Sequence, residues 1–244
     1  MKLPGEGSWT FENAEVAASF DRHVREQLPW YDLATGIVAA VGRTFIPEGG
    51  QVVDVGASTG NIGRALAPTL IARRAELLAL ERAGEMAARY SGPGRLIEID
   101  ATEFDFAGSD LIVAFLVLMF VPVAKRRGFI ERMIDGLEPG GALVIFDKLS
   151  PRGGEVGALS LRLTLAAKYE AGATADEIIA KELSLAGVQR PLDPAEVAGF
   201  EPIFRFGDFG GWLYPKGPND AARTSAEAFK AEGPRRKPGS SPDQ

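Results

Sequence analysis

Apolar residues recur at every fourth position from Val16 through Phe20 and Val24 to Leu28, with Ala17 beside them. That stripe predicts a helix over 11–28, stopped by Pro29. Leu33, Ile37, Val38, Val41 and Phe45 form the apolar face of a second helix. After residue 50 the period changes. Short apolar runs at 51–55, 77–80, 96–99, 111–116 and 142–146 alternate with helical stretches at 61–70, 84–90 and 124–137. Glu138-Pro139-Gly140-Gly141 reads as the end of the last of these helices. Continuous runs such as Leu111–Leu116 fit strands covered on both faces. Two further helices, 155–169 and 175–186, precede strands at 201–206 and 210–214 around Gly207-Asp208-Phe209.

The expected fold is α/β, a doubly wound Rossmann-like sheet of about seven strands with the last one antiparallel. It forms one domain over 1–214, with an N-terminal helical cap at 11–46 and a helical insert at 150–190 before the final hairpin. Residues 1–10 read as a loose leader. The Pro-, Gly-, Ser- and charge-rich stretch 215–244 reads as a disordered tail. No internal repeat is visible.

With 244 residues, 45% hydrophobic and 25% charged, the chain has the composition of an ordinary globular protein. It has no cysteine and one histidine, His23. Thiolate chemistry, disulfides and Cys-based zinc or iron–sulfur sites are thereby excluded, and a multi-His metal site has too few ligands. The net charge of −6 disfavours non-specific nucleic-acid or membrane binding. The longest apolar run, 111–123, is interrupted by Pro122 and too short for a bilayer, and the N-terminus has no leader pattern. The expectation is a soluble cytoplasmic protein, with a homodimer left open.

The chemistry concentrates in Val52-Val53-Asp54-Val55-Gly56-Ala57-Ser58-Thr59-Gly60-Asn61-Ile62-Gly63, where an apolar strand enters a Gly-rich turn that opens a helix. Glycines let backbone approach a ligand there, and the helix N-terminus offers free N–H groups. A dinucleotide site would use Glu81 on a ribose, but no Tyr is followed four residues later by Lys to run a reduction. A phosphate loop needs Gly-Lys, which never occurs. Gly56-x-Ser58-x-Gly60 spells a nucleophile elbow, but the histidine precedes the serine instead of following it.

The remaining reading is S-adenosylmethionine (SAM). Val53-Asp54-Val55-Gly56, Glu81, Asp100-Ala101, the segment from Asp110, and Leu137-Glu138-Pro139-Gly140-Gly141-Ala142-Leu143 together resemble class I SAM-dependent methyltransferases. The resemblance implies that Asp54, Gly56, Ala57, Ser58 and Gly60 flank the methionine part of SAM. Glu81, with Arg82 beside it, is implied to hold the ribose, and Asp100 and Ala101 the adenine. Phe20-Asp21-x-His23-Val24, Gln27-x-Pro29-x-Tyr31, Ala142–Lys148 and Phe204-x-Phe206-Gly207-Asp208-Phe209 resemble, more narrowly, carboxy-S-adenosylmethionine synthases. Those make a carboxylated SAM from prephenate for tRNA wobble uridine modification, and a Tyr at the position of Tyr31 contacts SAM.

The chain departs from that family twice. Phe115, expected among the residues that hold SAM, stands where the family has Asn after the fourth strand. The family's Arg for the added carboxylate has no counterpart in 191–197, and Arg190 and Arg205 are out of register. A buried carboxylate without a cation is costly. A methyltransferase with an unidentified acceptor is therefore favoured. A synthase holding its carboxylate through Arg190 or Arg205, and a non-catalytic module using the apolar end of strand four as a contact surface, are the alternatives. Apolar Ala114–Val117 argues against an amino methylase of DNA bases, and the missing cysteine against a cytosine C5 methylase. Tyr31 and His23 are the candidates for catalysis. Trp30 is either a lid aromatic or core, and Lys168 and Tyr169 face either acceptor or solvent.

Overall fold

In the computed structural model, which describes residues 10–217, the strands form a single seven-stranded sheet in the order β3-β2-β1-β4-β5-β7-β6. The leader to residue 9 and the stretch from 218 onward lie outside the described residues. β1 (Gln51–Val55), β2 (Glu76–Glu81), β3 (Arg95–Glu98), β4 (Ser109–Phe115) and β5 (Leu137–Lys148) are mutually parallel. β7 (Phe209–Pro215) runs antiparallel to both β5 and β6 (Glu201–Phe206). The order reverses between β1 and β4, and a ligand crevice opens beyond the carboxyl ends of strands at such a point.

Both faces of the sheet are covered. Val53, Val55, Ile112, Ala114 and Leu143 pack on one side with Phe129, Ile130 and Met133 of α5 (Val123–Gly136). Val52, Leu111, Val113 and Val144 pack on the other with Val38 of α2 (Tyr31–Phe45) and Leu66 of α3 (Asn61–Arg73). Burial on both sides explains why these strands carry no polar alternation.

α1 (Ala14–Gln27) starts at Asn13, whose side chain accepts from the backbone N–H groups of Glu15 and Val16. α4 (Gly84–Ala87) is a single turn. α6 (Gly154–Glu170) and α7 (Ala175–Leu185) form the insert, and Thr174 and Glu177 close a capping box at the start of α7.

One boundary differs from expectation. Residues 137–141 are not a mere helix stop: Leu137 pairs with Ser109, the register shifts, and Ala142 then pairs with Leu111. The shift accommodates Pro139, which has no N–H to donate. Gly141 is required because a Cβ there would lie 2.7 Å from the Asp110 carbonyl oxygen. The final strand extends to Pro215, and Lys216 exchanges backbone hydrogen bonds with Gly140 and Gly141.

Candidate active site

A cavity of about 600 Å3 lies at the carboxyl ends of β1, β2 and β4, roofed by α1 and the insert helices. The turn after β1 forms its floor. Gly56 takes φ +69°, and a Cβ there would stand 2.6 Å from Val117. Ser58 takes φ +51° and Leu116, after β4, φ +60°. Two non-glycine residues in the left-handed region, both at the cavity wall, mark strained backbone of the kind that clusters at ligand sites.

Glu81 ends β2 and is only 8% exposed. One carboxylate oxygen accepts from the Ser58 N–H and the other from the Ala83 N–H, each at 2.8 Å. A carboxylate has about four lone-pair sites, and these two bonds, with a third from the Arg82 backbone, leave part of that capacity for a ligand. Burial pushes its pKa up, and the bonds from Ala83, Ser58 and Arg82 oppose that.

Asp100 caps the short 3-10 turn Ala101–Glu103, accepting from the Thr102 N–H at 2.9 Å and hydroxyl at 2.8 Å. Its other oxygen meets Arg82 at 3.3 Å. Burial alone would raise its pKa, but the Thr102 bonds and Arg82 outweigh it and hold the carboxyl below its ordinary value.

Tyr31 opens α2, buried edge-on against Phe115 with centroids 5.3 Å apart and the Arg25 guanidinium 5.2 Å from its ring centre. Burial, then the Asp54 charge, pushes its phenol well above the usual range, so it stays protonated. His23 reaches the cavity from α1. Burial first, then the Lys181 ammonium, lowers its pKa, while Glu26 and Glu177 pull upward.

Of the residues assigned to SAM by resemblance, Tyr31, Gly56, Ala57, Ser58, Glu81, Arg82, Asp100, Ala101 and Phe115 line this one cavity. Asp54 and Gly60 do not. Asp54 is 1% exposed within β1, with Oδ2 unpartnered, and burial together with the Glu81 charge pushes it up to about 7. Gly60 caps α3 with φ +91° and packs where a Cβ would come within 2.6 Å of the Gly92 nitrogen. Both shape the turn from behind. Trp30 is core, packed on Phe204 and Phe209 with centroids 5.3 and 5.0 Å away. Lys168 lies inside the cavity and Tyr169 is 66% exposed.

The structure bears on the alternatives. Neither Arg190 nor Arg205 lines the cavity. At the end of strand four, Ala114 and Phe115 are buried and Leu116 and Val117 are half-buried against the cavity. Finally, the cavity is not short of cations, since Lys148, Lys168 and Lys181 line it. A scan for a local motif misses these lysines, because they come from β5, α6 and α7.

Asp21 is a further residue whose role emerges only in three dimensions. Its Oδ1 accepts from the Thr59 hydroxyl at 2.6 Å and the Asn61 amide at 2.7 Å, and its Oδ2 meets Arg64 at 3.1 Å. It ties α1 to the glycine turn. Among the described residues no group of three or more His, Asp or Glu could hold a metal ion.

The residues present fit SAM. The Gly56 turn admits backbone close to a ligand, and Glu81, with acceptor capacity left, lines the same cavity. Asp100 and Ala101 lie beyond them along the same wall.

No family model matches the chain. It is 28% identical over 222 residues to the carboxy-S-adenosyl-L-methionine synthase of Staphylococcus epidermidis, covering 85% of this chain and 97% of that one. The Photorhabdus laumondii protein of the same name is 25% identical over 233 residues, covering 88% and 92%. Among solved structures, an O-methyltransferase family protein from Burkholderia thailandensis superposes with a TM-score of 0.61 at 13% identity, over 89% of this chain and 64% of that longer one. The chain thus shares its fold with an O-methyltransferase family protein and is similar in sequence to proteins named carboxy-S-adenosyl-L-methionine synthase.

Proposed function

We propose that the chain is a SAM-dependent transferase that delivers a methyl group to an acceptor bound in the same cavity. The observation that carries this reading is the Glu81 carboxylate, held by the Ser58 and Ala83 amides at the cavity wall with acceptor capacity left beside them. The two oxygens of a carboxylate suit the two hydroxyls of a ribose. Asp100 accepts from the adenine amino group, and Ala101 packs on the ring. Gly56, Ala57 and Ser58 lie along the methionine portion. Tyr31 and Phe115 form an apolar wall beside the reacting centre, excluding water from it. When bound, SAM supplies a methyl group already activated on a sulfonium, so transfer needs alignment more than a strong base. Alignment alone is worth effective molarities of ~10⁵–10⁸ M.

A second reading is favoured by the activity for which the similar proteins are named. It has the chain making carboxy-SAM from SAM and an organic acid such as prephenate, as the resemblance implies. Mass spectrometry of ligand released from the purified protein separates the two. SAM or S-adenosylhomocysteine supports the methyltransferase, and a carboxylated derivative formed on adding prephenate supports the synthase. Labelled SAM offered with tRNA, DNA, protein and metabolite fractions then finds the acceptor. Absence of any SAM or S-adenosylhomocysteine binding by calorimetry overturns both.

A further inference from the structure

Residues 10–13 precede α1 and belong to no helix or strand. Thr10, Phe11 and Glu12 nevertheless line the cavity. Phe11 is half-buried and packs against the small cluster of Ala17, Ala83 and Met86. Ala83 follows β2 and carries one of the amides that hold Glu81. The Phe11 ring also meets Phe120 edge-on, with centroids 5.2 Å apart and planes at 78°. Phe120 belongs to the short turn Leu118–Phe120 after β4. A third ring, Phe20 of α1, stands 6.3 Å from Phe11.

Sheet order turns these contacts into a bridge. β1 lies between β2 and β4. A side chain that packs with residues following β2 and with a residue following β4 crosses the carboxyl end of β1, where the turn Gly56–Ser58 leaves the sheet. Phe120, Asp100 and Ala101 line the same cavity as that turn. The bridge is built to part. Two bonds of the segment are local, since the Glu12 N–H donates to the Thr10 hydroxyl at 3.2 Å and Asn13 caps α1. Neither ties residues 10–12 to the sheet. An edge-to-face ring pair is a modest, directional contact, and a short segment outside regular structure opens locally without unfolding the domain.

We infer that Phe11 and Phe120 form an aromatic clasp across the SAM site, which parts to admit the nucleoside, closes over it and sets how long it stays. This rests on reading the cavity as a SAM site, and it adds a residue ahead of α1 to those that retain the ligand. A clasp that is closed most of the time slows entry as well as exit, because only the open fraction of molecules takes up ligand. Removing it therefore raises both rates. Loss of an ordinary contact raises the off-rate alone.

The test is surface plasmon resonance with S-adenosylhomocysteine passed over the immobilised full chain. Phe11→Ala is expected to raise the off-rate at least tenfold and the on-rate at least threefold, with an unchanged circular dichroism spectrum. Phe120→Ala removes the other half of the clasp and is expected to do the same. The double variant is expected to do no more than either single one, since each alone breaks the pair. Phe11→Tyr keeps the ring and is expected to hold both rates within twofold of the parent. A merely structural part in anchoring α1 does not speed entry, so the on-rate decides. Parental rates in Phe11→Ala and Phe120→Ala, or a faster off-rate with an unchanged on-rate, overturn the clasp and leave the transferase reading standing. A parent that does not bind S-adenosylhomocysteine overturns the transferase reading and the clasp that rests on it.

Discussion

Glu81 supports the glycine turn with the same two oxygens that the proposed function assigns to the ribose. Glu81→Gln puts an N–H donor opposite one of the two backbone N–H groups that now donate to it. Each charge-assisted bond is worth roughly 1.5–3 kcal/mol, and about 1.4 kcal/mol is tenfold in affinity. S-adenosylhomocysteine affinity is therefore expected to fall at least tenfold by calorimetry, with the fold retained. Asp54 responds to pH instead. Its folded pKa is about 7, against about 3.9 in an unfolded chain. Between these values the folded state holds a proton that the unfolded state has lost, so this group's contribution to stability falls as pH rises through that window. Asp54→Asn cannot ionise. Its melting temperature is expected to match the parent near pH 4 and to exceed it at pH 8, and thermal melts at both values check the sign. Glu81 was legible in the sequence because an acid at the end of a second strand has a known use. The raised pKa of Asp54 was not, because it depends on burial that only packing reveals.

Strands and helices were readable wherever one physical pattern dominated. The continuous apolar runs of β1, β2 and β4 could only be strands covered twice, and the four-residue stripe of α1 could only be a helix face. Residues 137–141 misled because Pro and Gly signal a stop, whereas the register shift between Ser109 and Leu111 lets the same residues begin β5. The link between α1 and the turn was equally hidden, since Asp21 and Thr59 are far apart in sequence. Asp21→Ala strips acceptors from Thr59, Asn61 and Arg64 at once. Its ion pair with Arg64 is half exposed and contributes little. The hydroxyl and amide bonds, at ~1 kcal/mol each, contribute more. The expected result is a three- to tenfold loss of S-adenosylhomocysteine affinity and faster hydrogen exchange at the amides of residues 57–61. Unchanged exchange there would show that the turn holds itself.

At the scale of the whole molecule, net charge concealed the local sign. An overall −6 coexists with three lysines on one cavity wall. The lysines come from three elements, and no spacing rule connects residues 148, 168 and 181 before the insert folds back over the sheet. Direction is the other large-scale property. β7 starts opposite Lys148, beside the cavity, and ends opposite Ala142, at the other end of the strands. There the Lys216 ammonium donates to the carbonyls of Ile134, Asp135 and Leu137. Thr10, by contrast, lines the cavity itself. The two ends of the strands therefore make unequal handles, and a chain without cysteine can be labelled at one introduced thiol. A fluorophore on Glu138→Cys, exposed at the start of β5, sits remote from the ligand and is expected to leave S-adenosylhomocysteine affinity unchanged. The same fluorophore on Thr10→Cys crowds the cavity and weakens it, and titrating both conjugates in parallel reads the difference.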